Sequence, residues 1–230
     1  MTTTAENHLI ATLPRADRLR LLKLCEPVEL GALDVLCEPG SATRHVYFPT
    51  QASISLLRPV DGHGGLEVGM VGREGMVGVQ LALGVTTSPL LVLVQGPGQA
   101  HRVGASAFRA ELARSPALQR QLQRYLHVLM EQLATSAGCL RFHLLGPRLA
   151  RWLLMSRDRA HADSFHVTQA SLAGMLGVRR VGVTAAAGSL QRSGLIEYRR
   201  GEMTVLDRAG LEAAACSCYR IDCQSYSARL

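Results

Sequence analysis

The chain has 230 residues and a mass of 24.8 kDa, long for one ordinary domain and short for three. Hydrophobic residues make up 47% of it and charged residues 19%, a balance that suits a packed core and argues against disorder. The excess of 25 Lys+Arg over 18 Asp+Glu gives a net charge of +7, which points to a polyanion such as nucleic acid or an anionic membrane surface. Residues 1–140 carry only +1 of that excess and residues 141–230 carry +6, so the basic character belongs to the C-terminal third. Lys23 is the only lysine; every other basic side chain is arginine, the type suited to bidentate contacts with phosphate and guanine.

The N-terminal stretch MTTTAENHLIATLPRADR has no basic start followed by a long apolar run, so no signal peptide is expected. That leaves a cytoplasmic location with reduced thiols as the expectation for Cys25, Cys37, Cys139, Cys216, Cys218 and Cys223. Leu9, Leu13, Leu19, Leu22 and Cys25 recur near helical spacing and predict a helix. From about Glu29 to His101, short β-branched and aromatic runs alternate with turn residues. Val46–Phe48, Ile54–Leu57, Leu66–Met70 and Leu90–Val94 are strand candidates, with Glu38-Pro39-Gly40, Asp61–Gly65 and Gly96-Pro97-Gly98 between strands. The uncharged stretch Gly75–Ala100 fails as a membrane span because Gly78, Gly84, Pro89, Gly96, Pro97 and Gly98 interrupt it. The pattern predicts an antiparallel sandwich or barrel, a jelly roll among the options.

Ser115-Pro116 then reads as a helix start, a capping hydroxyl followed by proline in the first turn. Leu118, Leu122, Tyr125, Leu126, Leu129, Met130, Leu133 and Ala137 follow at intervals of three and four, one apolar stripe over roughly six turns. Such a stripe fits a helix lying on its own sheet or a dimer seam; the seam is favoured, because a lone helix between two domains has little else to cover it. Gly138 is expected to interrupt this helix, and Gly146-Pro147 to start another through Leu149, Trp152 and Leu153.

Thr168–Val205 is the most informative segment. Thr168 can cap a short helix burying Leu172, Ala173 and Leu176, and Gly177 permits a tight turn. Arg179–Ser193 makes a second helix with Val183, Ala187 and Leu190 inward, the layout of a helix-turn-helix. Gly194 ends it, Leu195–Arg199 and Met203–Leu206 form a two-stranded wing turning at Arg200-Gly201, and Asp207 caps a final helix near Leu211 and Ala215.

On Thr168–Ala173, Leu176-Gly177-Val178, Val183, Leu190 and Gly194-Leu195-Ile196, the C-terminal third resembles the winged helix-turn-helix of the Crp/Fnr superfamily of bacterial transcription regulators. The order of parts is similar too, so the resemblance spans nearly the whole chain, although its sharp motifs lie in residues 168–206. It implies an α+β fold in three parts. These are a cyclic-nucleotide-binding-like antiparallel β jelly roll over residues 1–112, a long dimerisation helix and hinge over 113–144, and a winged helix-turn-helix over 145–230. It also implies a homodimer on a two-fold symmetric double-stranded DNA site, and contact with RNA polymerase in an activator.

DNA-reading residues belong near the N-terminus of the second helix, on the face away from Val183 and Leu190: Arg179, Arg180, Val181, Thr184 and Ala185. The resemblance gives Arg180 the role of a guanine contact. Val181 and Ala185 stand where the family commonly has glutamate and arginine; they can pack on thymine methyls but not hydrogen-bond a base edge, so the best-known family operator does not transfer. Thr168, Gln169, Arg199 and Arg200 are the expected phosphate contacts, the alternative for the wing arginines being a solvated hairpin, and Arg192 is expected to be solvated or paired with an acid.

Cyclic-nucleotide binding in the family needs a Gly-Glu pair for ribose and an Arg before a small hydroxyl residue for phosphate. Here Val79 and Gln80 follow Gly78, and no Lys or Arg occurs between Glu74 and Arg102, so the usual cassette is expected to be lost and the effector is left open. Cys25 and Cys37 lack the clustering of an iron–sulfur sensor, and none of the eight histidines, His161 among them, has a context that marks a haem ligand. No cofactor and no metal is expected, with a metal or redox role for Cys216, Cys218 and Cys223 as the alternative. An enzymatic alternative, a cupin-like metal site of His45, His63, Glu67 and His101, has only half of the usual motif, and no nucleophile–base set is evident.

Overall fold

A computed structural model describes residues 6–61, 63–160 and 162–229, so His161 lies outside the described residues. Two short helices lead in, α1 (His8–Ala11) and α2 (Arg15–Leu24), where one was expected. Pro14 separates them by standing at the N-cap of α2, and Leu19 consequently turns to solvent instead of joining Leu9, Leu13 and Leu21 in the core.

The strands β1 (Glu26–Leu30), β2 (Val35–Cys37), β3 (His45–Pro49), β4 (Ser53–Val60), β5 (His63–Val71), β6 (Leu91–Gly96) and β7 (Gly98–Gly104) form two antiparallel sheets, ordered β1-β7-β3 and β2-β6-β4-β5. Leu30, Tyr47, Ile54, Leu56, Val71, Val92 and Val94 fill one shared core, as inward positions of a sandwich should. Together they make the expected jelly roll. A second core lies where Phe48 and Val46 meet Leu9, Ile10 and Phe108 of α3 (Ala105–Arg114) and the first turns of α4.

Helix α4 runs unbroken from Pro116 to Phe142, with Ser115 accepting a hydrogen bond from the Leu118 N–H at 3.1 Å. Gly138 does not interrupt it; the helix is 27 residues long, and a glycine there costs only about 1 kcal/mol, which the packing of Ser136 and Cys139 on either side offsets. The stripe read from the sequence divides between two faces. Leu118, Leu122 and Tyr125 are buried in the chain's own core, the Tyr125 hydroxyl donating to the Met76 carbonyl at 3.0 Å. Leu126 and Leu129 are half-buried against that core. Met130 (66% exposed) and Ala137 face outward, with Leu133 between the two states. Gln119, Gln123, Leu126, Met130, Leu133, Ala137, Leu140 and Leu144 alternate by four and three, and each keeps accessible surface.

The C-terminal part comprises α5 (Leu145–Ala160), β8 (Ser164–His166), α6 (Gln169–Leu176), α7 (Arg180–Arg192), β9 (Ile196–Arg199), β10 (Glu202–Val205), α8 (Arg208–Ala214) and α9 (Cys218–Arg229). The wing has three strands rather than two, because Ser164–His166 pairs with the outer edge of β10. Helix α8 is not the last. The sequence between Cys218 and Arg229 is polar with no clear apolar period, so α9 was not legible; it is held along α4 by specific polar contacts. Arg151 is paired with Asp222 at 2.7 Å, Gln132 donates to the Tyr226 hydroxyl at 2.9 Å, and the Arg159 guanidinium sits 5.5 Å over the Tyr226 ring.

The two halves share buried contacts. Leu57 of β4 and Met70 of β5 belong to the same core as Leu149, Trp152, Leu172 and Leu176. Glu67 of β5 accepts from Ser55 Oγ at 2.6 Å and from Trp152 Nε1 at 2.8 Å. Desolvation pushes its carboxyl up to about 7, against the weaker pull of those two hydrogen bonds. In the unfolded chain the group titrates near 4.5, so the folded state binds the extra proton between the two values. Its contribution is therefore fully present below pH 4.5 and lost as pH rises through 7. Urea unfolding at pH 5 and pH 8 should show Glu67→Gln more stable than the parent by about 3 kcal/mol at the higher pH and by about 1 kcal/mol or less at the lower. An equal difference at both would contradict the assignment.

Candidate nucleic-acid interface

The helix-turn-helix is built from caps and one left-handed residue. Thr168 Oγ1 accepts from the Ser171 N–H at 3.0 Å, opening α6 where the sequence placed its cap. Gly177 closes α6 with φ of 63°, and a Cβ there would come within 2.8 Å of the Leu66 side chain on β5. The positive φ selects glycine, whereas the Leu66 methyl lies at the end of a flexible side chain that can yield. Arg148 of α5 donates to the Leu176 carbonyl, satisfying the end of α6. Val183, Ala187 and Leu190 are buried as expected, and Asp207 accepts from the Gly210 N–H at 3.0 Å to cap α8.

This packing leaves one face of α7 outward. Arg179, Arg180, Val181, Thr184 and Ala185 are all exposed, Val181 at 73%, so no internal core claims its side chain. Arg179 makes no side-chain capping bond at the N-cap of α7. The Thr184 hydroxyl lies 2.8 Å from Gln169 Oε1, which ties the recognition helix to the start of α6 and leaves the Gln169 amide N–H groups outward. A shallow concavity joins Thr168, Gln169, Arg180, Tyr198 and Arg200 with His166 and Gly201. Arg200 takes φ of 54° and Gly201 87°, a turn that lifts Arg199 and Arg200 to the tip of the wing.

Charge sorts nine of the C-terminal arginines into two sets. Arg151, Arg157, Arg159 and Arg208 are each paired with a carboxylate at 2.6–2.9 Å. Arg179, Arg180, Arg192, Arg199 and Arg200 have no ion pair among the described residues. Arg192 is thus solvated rather than paired. Unneutralised positive charge collects on the surface formed by α6, α7 and the wing, where a polyanion can replace water.

Residues 147–214 match the family model described as a Crp-like helix-turn-helix domain. The C-terminal third is a Crp-like helix-turn-helix domain. Over the whole chain, the fold is that of solved Crp/Fnr-type regulators. FixK2 from Bradyrhizobium japonicum superposes with a TM-score of 0.70 at 12% identity, covering 84% of this chain and 98% of its own. The c-di-GMP-responsive global regulator CLP of Xanthomonas campestris gives 0.68 at 17% identity, covering 84% and 100%. A CRP-family transcriptional regulator from Thermus thermophilus gives 0.67 at 17%, covering 82% and 96%. No curated protein matches the chain. The chain thus carries a Crp-like helix-turn-helix domain within the fold of solved Crp/Fnr-type regulators.

The segment that stands where a cyclic-nucleotide cassette would lie makes hydrogen bonds within its own domain. Gln80 donates to Thr43 Oγ1 at 2.8 Å, and Ser88 Oγ donates to the Leu90 carbonyl at 2.9 Å. Thr86 and Thr87 are exposed, with no arginine beside them in sequence. Of the cupin-like set, the His63 side chain lies outside the described residues, and Glu67 is engaged by Ser55 and Trp152. The C-terminal thiols separate: Cys216 and Cys218 are buried with Cys139 and half-buried His143, whereas Cys223 is exposed. Cys139 and His143 escaped the sequence reading; the signal was their spacing of four at the end of α4. No described helix is long and apolar enough to cross a membrane.

Proposed function

We propose that the chain acts as a homodimer that reads a palindromic operator through Arg179, Arg180, Val181, Thr184 and Ala185, with Thr168, Gln169, Arg199 and Arg200 on the flanking phosphates. The observation that carries this is the convergence of the unpaired arginines Arg180 and Arg200 with Thr168 and Gln169 around one exposed concavity, with Arg179 and Arg199 exposed beside them in sequence. The outward seam of α4 supports the dimer. Met130, Phe142 and Leu144 are 66%, 79% and 81% exposed, apolar surface that a second copy can cover. In this reading residues 1–112 are the sensor, 113–144 the joining helix and 145–230 the reader, in the cytoplasm, with RNA polymerase as the further partner of an activator. Cyclic AMP and GMP do not control it through the usual cassette, because a buried phosphate there would have no cationic partner.

Selection from a randomised duplex library, with purified protein and no added ligand at moderate salt, tests this. The expected result is an enriched palindrome with half-sites about one helical turn apart. A monomer by light scattering at micromolar concentration, or an asymmetric enriched site, would overturn the dimeric reading.

A further inference from the structure

Four side chains from two distant segments converge where the end of α4 meets the loop between α8 and α9. Cys139 lies on the last turn of α4 and His143 caps that helix one turn on, while Cys216 precedes α9 and Cys218 opens it. Cys139 Sγ lies 3.5 Å from Cys216 Sγ, and Cys218 Sγ lies 3.5 Å from His143 Nδ1. All four donor atoms fall within 4.8 Å of one another, and the three thiols are buried.

The two 3.5 Å separations match the donor spacing of a tetrahedral metal centre. Zinc bonds of about 2.3 Å to sulfur and about 2.0 Å to nitrogen, in tetrahedral array, put neighbouring donor atoms roughly 3.5–3.8 Å apart. A disulfide would need the sulfurs at about 2.05 Å. An iron–sulfur cluster, whose bridging sulfides spread its ligands over more than one iron, does not fit so small a space. Three thiolates and a neutral imidazole around a divalent ion carry one net negative charge. Arg148 and Arg151, both close enough to interact with these thiols, offset it.

We propose that Cys139, His143, Cys216 and Cys218 form a tetrahedral site for a thiophilic divalent cation, zinc foremost, that clasps the C-terminal segment to the end of the long helix. Both pairs of ligands lie outside residues 147–214, so the clasp is separate from the helix-turn-helix. It fixes how the reader hangs from α4, since Cys216 also follows α8 directly and its N–H donates to the Pro147 carbonyl at the start of α5.

The test is a Co(II) titration of the full-length chain, reduced and freed of metal, followed by Zn(II). One equivalent of Co(II) should produce near-ultraviolet thiolate charge-transfer bands and the intense visible bands of a tetrahedral centre, and one equivalent of Zn(II) should bleach them. Cys218→Ser and His143→Ala should each weaken binding by about a hundredfold or more, beyond what loss of an outer-sphere partner costs. Cys25→Ser, Cys37→Ser and Cys223→Ser should leave it unchanged, with circular dichroism checking each variant's fold. A weak octahedral spectrum in the parent protein overturns the site whatever the variants do. So does a Cys139–Cys216 disulfide recovered by mass mapping from protein that takes up no Co(II). None of these readouts involves DNA, so the site stands or fails apart from the operator reading.

Discussion

Replacing Arg180 by alanine should abolish discrimination at one guanine in each half-site while leaving non-specific DNA binding nearly intact. The side chain occupies the first turn of α7, is exposed and has no carboxylate holding it. A bidentate arginine–guanine contact is worth about 1–3 kcal/mol, and two well-separated copies on a dimer add to about 2–6 kcal/mol. At tenfold per 1.4 kcal/mol, that is a loss of about thirtyfold to ten-thousandfold on the selected palindrome. Arg199→Ala and Arg200→Ala provide the contrast. As phosphate contacts they should weaken binding to all sequences alike and flatten the dependence on salt by close to one ion per side chain. Fluorescence anisotropy on the selected duplex and on its guanine-substituted counterpart separates the two behaviours. An Arg180→Ala protein that keeps the parent's preference would remove this residue from the reading face.

Asp222→Ala should destabilise the protein by about 3–5 kcal/mol, the range for removing one partner of a buried ion pair. Arg151 and Asp222 are 11% and 5% exposed, and the guanidinium donates twice to Asp222 Oδ2, at 3.0 and 2.7 Å. Removing the carboxylate takes away the ion-pair partner of a cation in the interior and leaves it the Ser136 hydroxyl at 3.3 Å as a hydrogen-bond partner. The same change loosens α9, because Asp222 lies between the Cys216–Cys218 loop and Tyr226. Denaturant unfolding of the parent, Asp222→Ala and Asp222→Asn gives the measurement, with asparagine expected to lose less by keeping a hydrogen-bond acceptor. A loss under 1 kcal/mol for alanine would mean that water reaches Arg151 freely.

Wherever local chemistry decided structure, the sequence was a good guide. Thr168, Gly177, Gly194 and Asp207 each act through their own backbone or a neighbour three residues away, and all four cap or turn as their residue types demand. The candidate reading face followed, since buried Val183, Ala187 and Leu190 leave the opposite side of α7 outward. Long-range pairing was not legible. Ser164–His166 becomes a strand only because β10 has a free edge, and α9 exists because Asp222 and Tyr226 find Arg151, Arg159 and Gln132 from elsewhere in the chain. The stripe on α4 read as one surface because spacing alone cannot tell two adjoining apolar faces apart. Tyr125 meets Met76 on one, and Met130 meets solvent on the other.

Leu66 touching the turn at Gly177 bears on how such proteins recombine. Reader domains are natural units to swap between regulators, and the linker near residue 144 is the obvious joint. Here a foreign reader would have to fit its turn against Leu66, and bring an indole for Glu67 and apolar partners for Leu57 and Met70. A swap at that joint would strand a carboxylate and part of a core on the sheet left behind. A clean exchange would have to carry the β4–β5 hairpin and the stretch of α4 on which α9 rests, so the reader is not a self-contained unit of this chain.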